Sequence, residues 1–194
     1  MKLNIAGIDY SLRGPAICIF AGEHKEEFSF KNCVFHFLSD IKRHDRMYLL
    51  NIFGGSFKIF AEESERYDSI SSWALEKIQA CDRVSLEGYS FGSQSNRLFQ
   101  IAENAAILKY KCYQHGLPLD IVPPSQIKKF ATGKGNASKS DMYFSFLEDT
   151  GVDIRKEITP SASKIINPVS DIVDSYYICK YLYTKLSHES GKEV

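Results

Sequence analysis

The fold is decided by residues 2–21, KLNIAGIDYSLRGPAICIFA. Residues 2–9 and residues 14–21 are two apolar runs joined by a short turn, which is the pattern of a β-hairpin. Successive side chains of a strand point to opposite faces, so Gly7 and Asp9 share one face of the first strand. A carboxylate at the end of an apolar strand is unusual, and Asp9 is therefore the first candidate functional residue.

The spacing of apolar residues after the hairpin predicts further strands and helices. Residues 26–36 have the broken alternation of a third strand, and residues 37–65 mix charge, glycine and aromatic residues without one period. We expect an irregular excursion there, with a short strand near residues 56–61. The later elements are a helix over 66–81, a strand over 83–89, a helix ending near 115, a strand over 117–122, and helices over 125–130, 138–149 and 168–186.

This order of elements predicts the fold class. Strands joined by tight turns are antiparallel, whereas a strand-helix-strand unit implies a parallel crossover. We therefore expect an α/β fold with a mixed five-stranded sheet, three antiparallel strands followed by two parallel strands, flanked by helices. The length of 194 residues predicts a single domain over 1–187, followed by a disordered tail over 188–194.

Composition excludes several classes of protein. The 24 basic and 24 acidic residues cancel, so there is no global basic field and a nucleic-acid site has to be a local patch. The five cysteines are far apart and contain no CxxC pair, which argues against disulfides and a zinc knuckle. No run of about 18 apolar residues and no signal-peptide pattern occurs, so we expect a cytoplasmic protein without a membrane segment.

Four acidic residues form the candidate catalytic set. Glu87 lies near the end of a short apolar strand, as Asp9 does, and neighbouring parallel strands would place the two carboxylates side by side at one edge of the sheet. Asp171 and Asp174 are three residues apart on the last predicted helix, so they project from one helix face. Four converging carboxylates repel one another unless cations lie between them, and Mg²⁺ prefers such oxygen ligands.

Simpler explanations exist for each part of this set. A lone aspartate at a strand end is more often a cap residue, and a DxxD pattern on a helix is more often a solvated face. The combination favours a metal site. Two Mg²⁺ ions in such a site can activate a water and stabilise the leaving oxygen of a phosphodiester.

A basic, glycine-containing segment follows the last predicted strand. Its lysines are the candidate contacts to the DNA backbone, since the glycines allow close approach to a phosphate. These lysines are Lys128, Lys129, Lys134 and Lys139. A solvated lysine run is the alternative interpretation.

Two aromatic residues follow Glu87. Tyr89 and Phe91 are candidates for stacking on bases or wedging between them at a branch point. A core position is the alternative interpretation, and it is stronger for Tyr89 than for Phe91, which lies in the polar stretch GSQSN.

Several stretches of the sequence resemble one known family, the RuvC group of Holliday junction resolvases in the RNase H-like superfamily. GIDYSLRGPAICIF resembles the first hairpin of that family, SLEGYSFGS its second acidic strand, and NPVSDIVDSYYICKYL its final helix. AENAAILKYKCYQHGLPLDIVPPSQIKKFATGKGNASKSDM resembles the intervening helix, strand and basic loop. The resemblance covers residues 1–22 and 83–186.

The resemblance implies an RNase H-like fold and a Mg²⁺-dependent endonuclease of DNA recombination and repair. It implies two Mg²⁺ ions, replaceable by Mn²⁺, held by the four carboxylates, with Lys139 as a lysine of the active site and Lys128 or Lys129 near it. It also implies a homodimer that nicks a four-way junction at two symmetric positions, because a two-fold substrate needs two active sites.

The sequence also departs from the family. Tyr10 and Ser11 follow the first aspartate where bacterial resolvases commonly have Pro-Gly, and an insertion over residues 36–65 is typical of a phage or viral relative, in which case the cytoplasm would be that of the infected host cell. Junction preference stays open for this reason. The alternatives are a broader branched-DNA or flap endonuclease of the same fold, and, in another class, an actin-like phosphate-binding domain, since GIDYSLRG is similar to the first phosphate loop of those proteins.

Overall fold

A mixed β-sheet with helices on both faces forms the centre of the molecule. The computed structural model describes residues 2–23, 26–45, 47–89 and 95–190, with only the helical backbone described for residues 95–97 and 190. The strands are β1 (Lys2–Asp9), β2 (Ala16–Glu23), β3 (Cys33–Ser39), β4 (Tyr48–Leu49), β5 (Ile52–Ser56), β6 (Arg83–Glu87) and β7 (Leu119–Val122). The order across the sheet is β4-β5-β3-β2-β1-β6-β7.

The pairing of these strands confirms the mixed sheet. β1, β2 and β3 are antiparallel neighbours, while β6 pairs parallel to β1 and β7 parallel to β6. β5 is parallel to β3, so β1, β3, β5, β6 and β7 all end at the same edge of the sheet. Asp9 lies at this edge.

The expected number of five strands was wrong, because the 37–65 excursion adds β4 and β5 to the edge of the sheet. The short strand predicted near 56–61 is instead Ile52–Ser56. Its signal is hidden because Gly54 lies against another chain segment: a Cβ at Gly54 would come within 2.4 Å of the His44 carbonyl oxygen. The third strand begins at Cys33, later than predicted, because residues 30–32 form a 3₁₀ turn.

Six helices cover the two faces of the sheet within the described residues. They are α1 (Glu63–Ile78), α2 (Ser95–Gln114), α3 (Pro124–Thr132), α4 (Lys139–Thr150), α5 (Ile154–Ile158) and α6 (Val169–Ser190). The helices α3 to α6 share one apolar core with β1, β2 and β3, and α1 and α2 share a second core with the other face of the sheet. The short helix α5 was not predicted from the sequence.

Helix α6 packs closely on β1. A Cβ at Gly7 would lie 2.1 Å from the Cys179 backbone nitrogen, so only glycine allows this approach of helix to strand. α6 begins one residue after the predicted Pro168 and continues to Ser190. Residues 188–190, expected in the tail, therefore belong to its last turn, and residues 191–194 lie outside the described residues. None of the helices described here is both long and apolar enough to span a membrane.

Candidate active site

Two of the candidate carboxylates lie side by side at the edge where the parallel strands end. Ile8 of β1 is paired with Leu86 of β6, so Asp9 and Glu87, each one residue further, leave adjacent strands together. Both side chains are half-buried. The sequence-based expectation that these strands are parallel neighbours is confirmed.

Helix α6 brings the other two carboxylates to the same place. Asp171 is in its first turn and Asp174 follows one turn later, on the face that packs over β1. The β1–β2 turn also approaches closely, because a Cβ at Gly14 would lie 2.4 Å from Asp171 Oδ2. Gly14 is thus required by contact with a candidate site residue, which its position in a hairpin turn alone did not indicate.

Burial and mutual repulsion raise the pKa values of these carboxyl groups. Burial is the main cause in each case. The pKa of Asp9 is raised well above its usual value, and the negative charges of Asp171, Glu87 and Asp174 contribute to this. Burial raises the pKa of Glu87 and of Asp171 to about 7, and that of Asp174 to about 6. The four groups therefore share one electrostatic environment that disfavours full ionisation without a cation.

One carboxylate oxygen has no partner. Asp171 is only 4% exposed, and its Oδ2 is buried without a hydrogen-bond donor among the described residues. A buried unpaired carboxylate oxygen is costly, and a cation would relieve this cost. Within the described residues, however, no three acidic, histidine or cysteine side chains form a ready-made metal cage. The carboxylates interact through charge across a shared edge, and the chemistry of the donor set, all hard oxygens, suits Mg²⁺.

Lys139 joins the basic segment to the acidic helix. It is the first residue of α4, which begins with a capping box between Ser138 and Asp141. Its Nζ donates hydrogen bonds to Asn167 Oδ1 at 3.1 Å and to Ser170 Oγ at 3.0 Å. The ammonium charge lowers the pKa values of Asp9, Asp171 and Asp174 against the effect of burial.

The other lysines of the basic segment are placed differently. Lys128 on α3 is half-buried, and its charge lowers the pKa values of Glu87 and Asp174. Lys129, its neighbour, is exposed, and Lys134 lies near Asp141 at the start of α4. Lys128 and Lys139 thus face the carboxylates, whereas no contact brings Lys129 or Lys134 to them.

Tyr89 is partly exposed beside the site. Its ring is covered by Lys109 of α2, whose Nζ lies 4.7 Å from the ring centroid and 3.2 Å from the hydroxyl. It therefore lies at the surface, which leaves the stacking interpretation open and argues against a core position. Phe91, the second aromatic candidate, lies outside the described residues.

A pocket with a volume of about 390 Å³ adjoins the carboxylates on the α2 side of the sheet. Asp9 and Glu87 lie at one end, and Arg13 and Arg66 contribute positive charge. The sequence analysis missed Arg66, Asn167 and Ser170. Asn167 and Ser170 precede Asp171 in NPVSD, and their polarity in a helix start was the only signal; nothing local marked Arg66.

With this geometry established, comparison with known proteins defines the fold. No protein-family model and no curated protein sequence matches the chain. Solved structures do match. Thermus thermophilus RuvC has a TM-score of 0.62 at 16% sequence identity, covering 97% of each chain. The same protein in complex with a Holliday junction substrate has a TM-score of 0.59 at 13% identity, covering 94% of this chain and 96% of that one.

A eukaryotic structure matches as well. The yeast mitochondrial Holliday junction resolvase has a TM-score of 0.55 at 12% identity, covering 99% of this chain and 85% of that one. The chain therefore has the RNase H-like fold of RuvC-type resolvases, as the sequence resemblance implied. Identities this low show the fold, so the activity has to be argued from the site.

Proposed function

We propose that this protein is a Mg²⁺-dependent DNA endonuclease that resolves four-way junctions by paired symmetric phosphodiester hydrolysis, acting as a homodimer. The observation that carries the proposal is the meeting of Asp9, Glu87, Asp171 and Asp174 from two strands and one helix at a single edge, with every pKa raised. Such an arrangement is unfavourable for stability, and clusters of perturbed carboxyl groups in a cleft are typical of functional sites.

Two Mg²⁺ ions, which Mn²⁺ could replace, are the proposed cofactors, and the four carboxylates would hold them. Asp171 would contribute the oxygen that has no donor, and Asp9 and Glu87 would contribute theirs from the adjacent strand ends. When bound, divalent ions lower the pKa of a water nucleophile and neutralise charge on the leaving oxygen. Ions of this type usually retain waters and bind substrate phosphate, so a complete protein cage is not needed.

The residues of the chain itself supply binding and orientation. Lys128 and Lys139 place two positive charges beside the carboxylates, where a phosphate of the cut strand would lie. Lys129 and Lys134 are exposed and suit contacts to phosphates further along the backbone, which position DNA without reading its sequence. Tyr89, with Phe91 after it, is proposed to contact unstacked bases near the branch point.

The outer face of α2 supports the homodimer. Phe99, Tyr110 and Tyr113 lie on one side of this helix at spacings of eleven and three residues, and they are 69%, 60% and 81% exposed. The opposite side of α2, with Leu108 and Cys112, is buried against the sheet. A helix with a second, exposed aromatic stripe is typical of an interaction surface, and a two-fold symmetric partner would bury it.

The decisive experiment compares wild type, Asp9→Asn and Asp174→Asn on a synthetic four-way junction with Mg²⁺. We expect wild type to make paired nicks at symmetric positions, and both variants to bind the junction yet lose nicking, because a neutralised ligand affects the ions more than the lysine contacts. Binding is measured by mobility shift and nicking on denaturing gels. Undiminished nicking by either variant would refute the role given to that residue.

The same assay separates the alternatives. Equal cleavage of three-way junctions, flaps and four-way junctions would favour a broader branched-DNA endonuclease with the same site. ATP turnover without DNA cleavage would favour a phosphate-binding domain of the actin-like type, for which the structural comparisons give no support.

A further inference from the structure

The pocket beside the carboxylates has an apolar floor that metal-dependent hydrolysis does not need. The floor combines residues of β6 and α2, and its apolar side chains are Tyr10, Leu12, Leu86, Leu98, Ile101 and Ala105. The volume of about 390 Å³ is in the range of sites that enclose small organic molecules. Because Asp9 and Glu87 lie at its mouth, a strand whose phosphate lies on these carboxylates passes directly over the pocket.

Arg66 forms a rigid polar wall of this pocket. Its guanidinium donates to the Leu12 carbonyl oxygen at 2.8 Å, lies 5.1 Å from the Phe60 ring centroid and 3.5 Å from Glu63 Oε2. Its Nε is buried without an acceptor among the described residues. The arginine is thus held in place by three contacts and retains one unsatisfied donor, which costs free energy unless a ligand supplies an acceptor.

We propose that this pocket takes up one unpaired nucleobase of the strand that is cut, next to the scissile phosphate. A flat heteroaromatic base fits an apolar floor, and its carbonyl oxygens and ring nitrogens are acceptors for Arg66. Arg13, exposed at the mouth, is placed to contact the adjoining phosphate. The inference rests on the proposed nuclease function and adds to it a base-specificity site.

The chemistry of the pocket favours a base over other occupants. A phosphate or a metal ion would not bind to an apolar floor, and a paired base inside a duplex cannot enter an enclosed site without leaving its stack. Bases at a branch point are already partly unstacked, so extrusion costs less there than within a continuous duplex. The pocket therefore fits a branched substrate better than a linear one.

The first test follows base extrusion directly. The nick is mapped with Mg²⁺, and 2-aminopurine, whose emission rises when it is unstacked, is then placed at each position flanking the nick in turn. Ca²⁺ replaces Mg²⁺ during the measurement so that the strands stay intact. We expect protein binding to brighten one position beside the nick. Nicking without brightening at any flanking position would overturn the base pocket and leave the nuclease function standing.

The second test fills the pocket. Ile101→Trp and Leu98→Trp place an indole in the floor from successive turns of α2, and Gln79→Trp adds the same bulk at the exposed end of α1 as a control. We expect both pocket variants to lose the brightening and retain junction binding, while Gln79→Trp behaves as wild type. Circular dichroism verifies that each variant is folded, and two filling positions keep the test decisive if one does not fold.

Base preference is the third readout. Nicking rates are compared for four junctions that differ only in the base at the brightened position, and we expect wild type to discriminate about tenfold or more. The folded pocket variants should nick all four at similar rates. Discrimination that survives both Trp variants would overturn the inference. Failure of wild type to nick any branched substrate would instead remove the proposed function on which the inference rests.

Discussion

Lys139 Nζ lies 3.0 Å from Ser170 Oγ, and this contact fixes the start of α4 on the first turn of the helix that carries Asp171. The Ser170 hydroxyl lies 3.0 Å from Asn167 Oδ1 and 3.2 Å from Asp171 Oδ1, and its single proton can serve one of them at a time. Lys139 is therefore both a positive charge beside the carboxylates and a positioning group for Asp171.

Replacing this lysine tests its proposed role in the active site. Lys139→Met keeps the length of the side chain and removes the charge, so we expect kcat/KM for nicking to fall about a hundredfold. Junction binding should weaken far less, since other lysines remain. Lys156→Met, which removes an exposed lysine on α5, is the matched control and should nick normally. Wild-type nicking by Lys139→Met would show that this lysine has no role in catalysis.

The neighbouring lysines of α3 should separate catalysis from general DNA binding. Only the charge of Lys128 reaches Glu87 and Asp174, whereas Lys129 is exposed. We expect Lys128→Ala to reduce kcat, and Lys129→Ala to raise KM alone and to reduce the salt dependence of binding by about one phosphate contact. Single-turnover rates and mobility shifts over a salt series measure both effects. Equal loss of kcat in the two variants would contradict this division.

The strands and helices that bring the carboxylates together were predictable from local sequence. Asp9 and Glu87 end short apolar strands, and a strand-helix-strand order makes those strands parallel, so their meeting follows from topology alone. Asp171 and Asp174 needed only helical spacing. Most of this prediction used signals that extend over fewer than about twenty residues, which is the range at which periodicity is informative.

The unpredicted parts depend on contacts between distant segments. β5 is an edge strand whose Gly54 is selected by the His44 backbone and the Phe37 ring, so its composition carries no strand signal. Arg66 reaches the pocket through the Leu12 carbonyl oxygen, 54 residues away in the chain. Neither partner is visible in a local window, since a long-range contact leaves no periodic trace in the sequence.

Neutralising a candidate ligand should stabilise the metal-free protein at alkaline pH. The pKa of Asp171 is raised to about 7 in the folded state, above the value of about 4 in an unfolded chain. Its contribution to stability is therefore complete below about pH 4 and is lost as the pH rises through about 7. We expect Asp171→Asn in EDTA at pH 8 to melt at least about 3 °C higher than wild type, by calorimetry.

Two comparisons make this prediction specific. At pH 4 the advantage of Asp171→Asn should disappear, because the wild-type carboxyl group is then protonated. Addition of Mg²⁺ at pH 8 should raise the melting temperature of wild type more than that of the variant, since a ligand that binds the folded state stabilises it. A lower melting temperature for Asp171→Asn in EDTA at pH 8 would mean that the ionised carboxylate is already satisfied by the protein alone.

The aromatic stripe of α2 connects assembly to the pattern of cuts. Tyr110→Glu places a charge where an apolar partner surface is proposed, so we expect sedimentation analysis to show monomers for this variant and dimers for wild type. Phe144→Glu removes an aromatic residue that is also exposed, 64% on α4, and should leave the dimer intact. A monomer retains all four carboxylates, so Tyr110→Glu should still nick a junction, but singly and without coordination of the two strands. Paired, simultaneous nicks by a monomeric variant would separate the symmetry of cleavage from the symmetry of the protein.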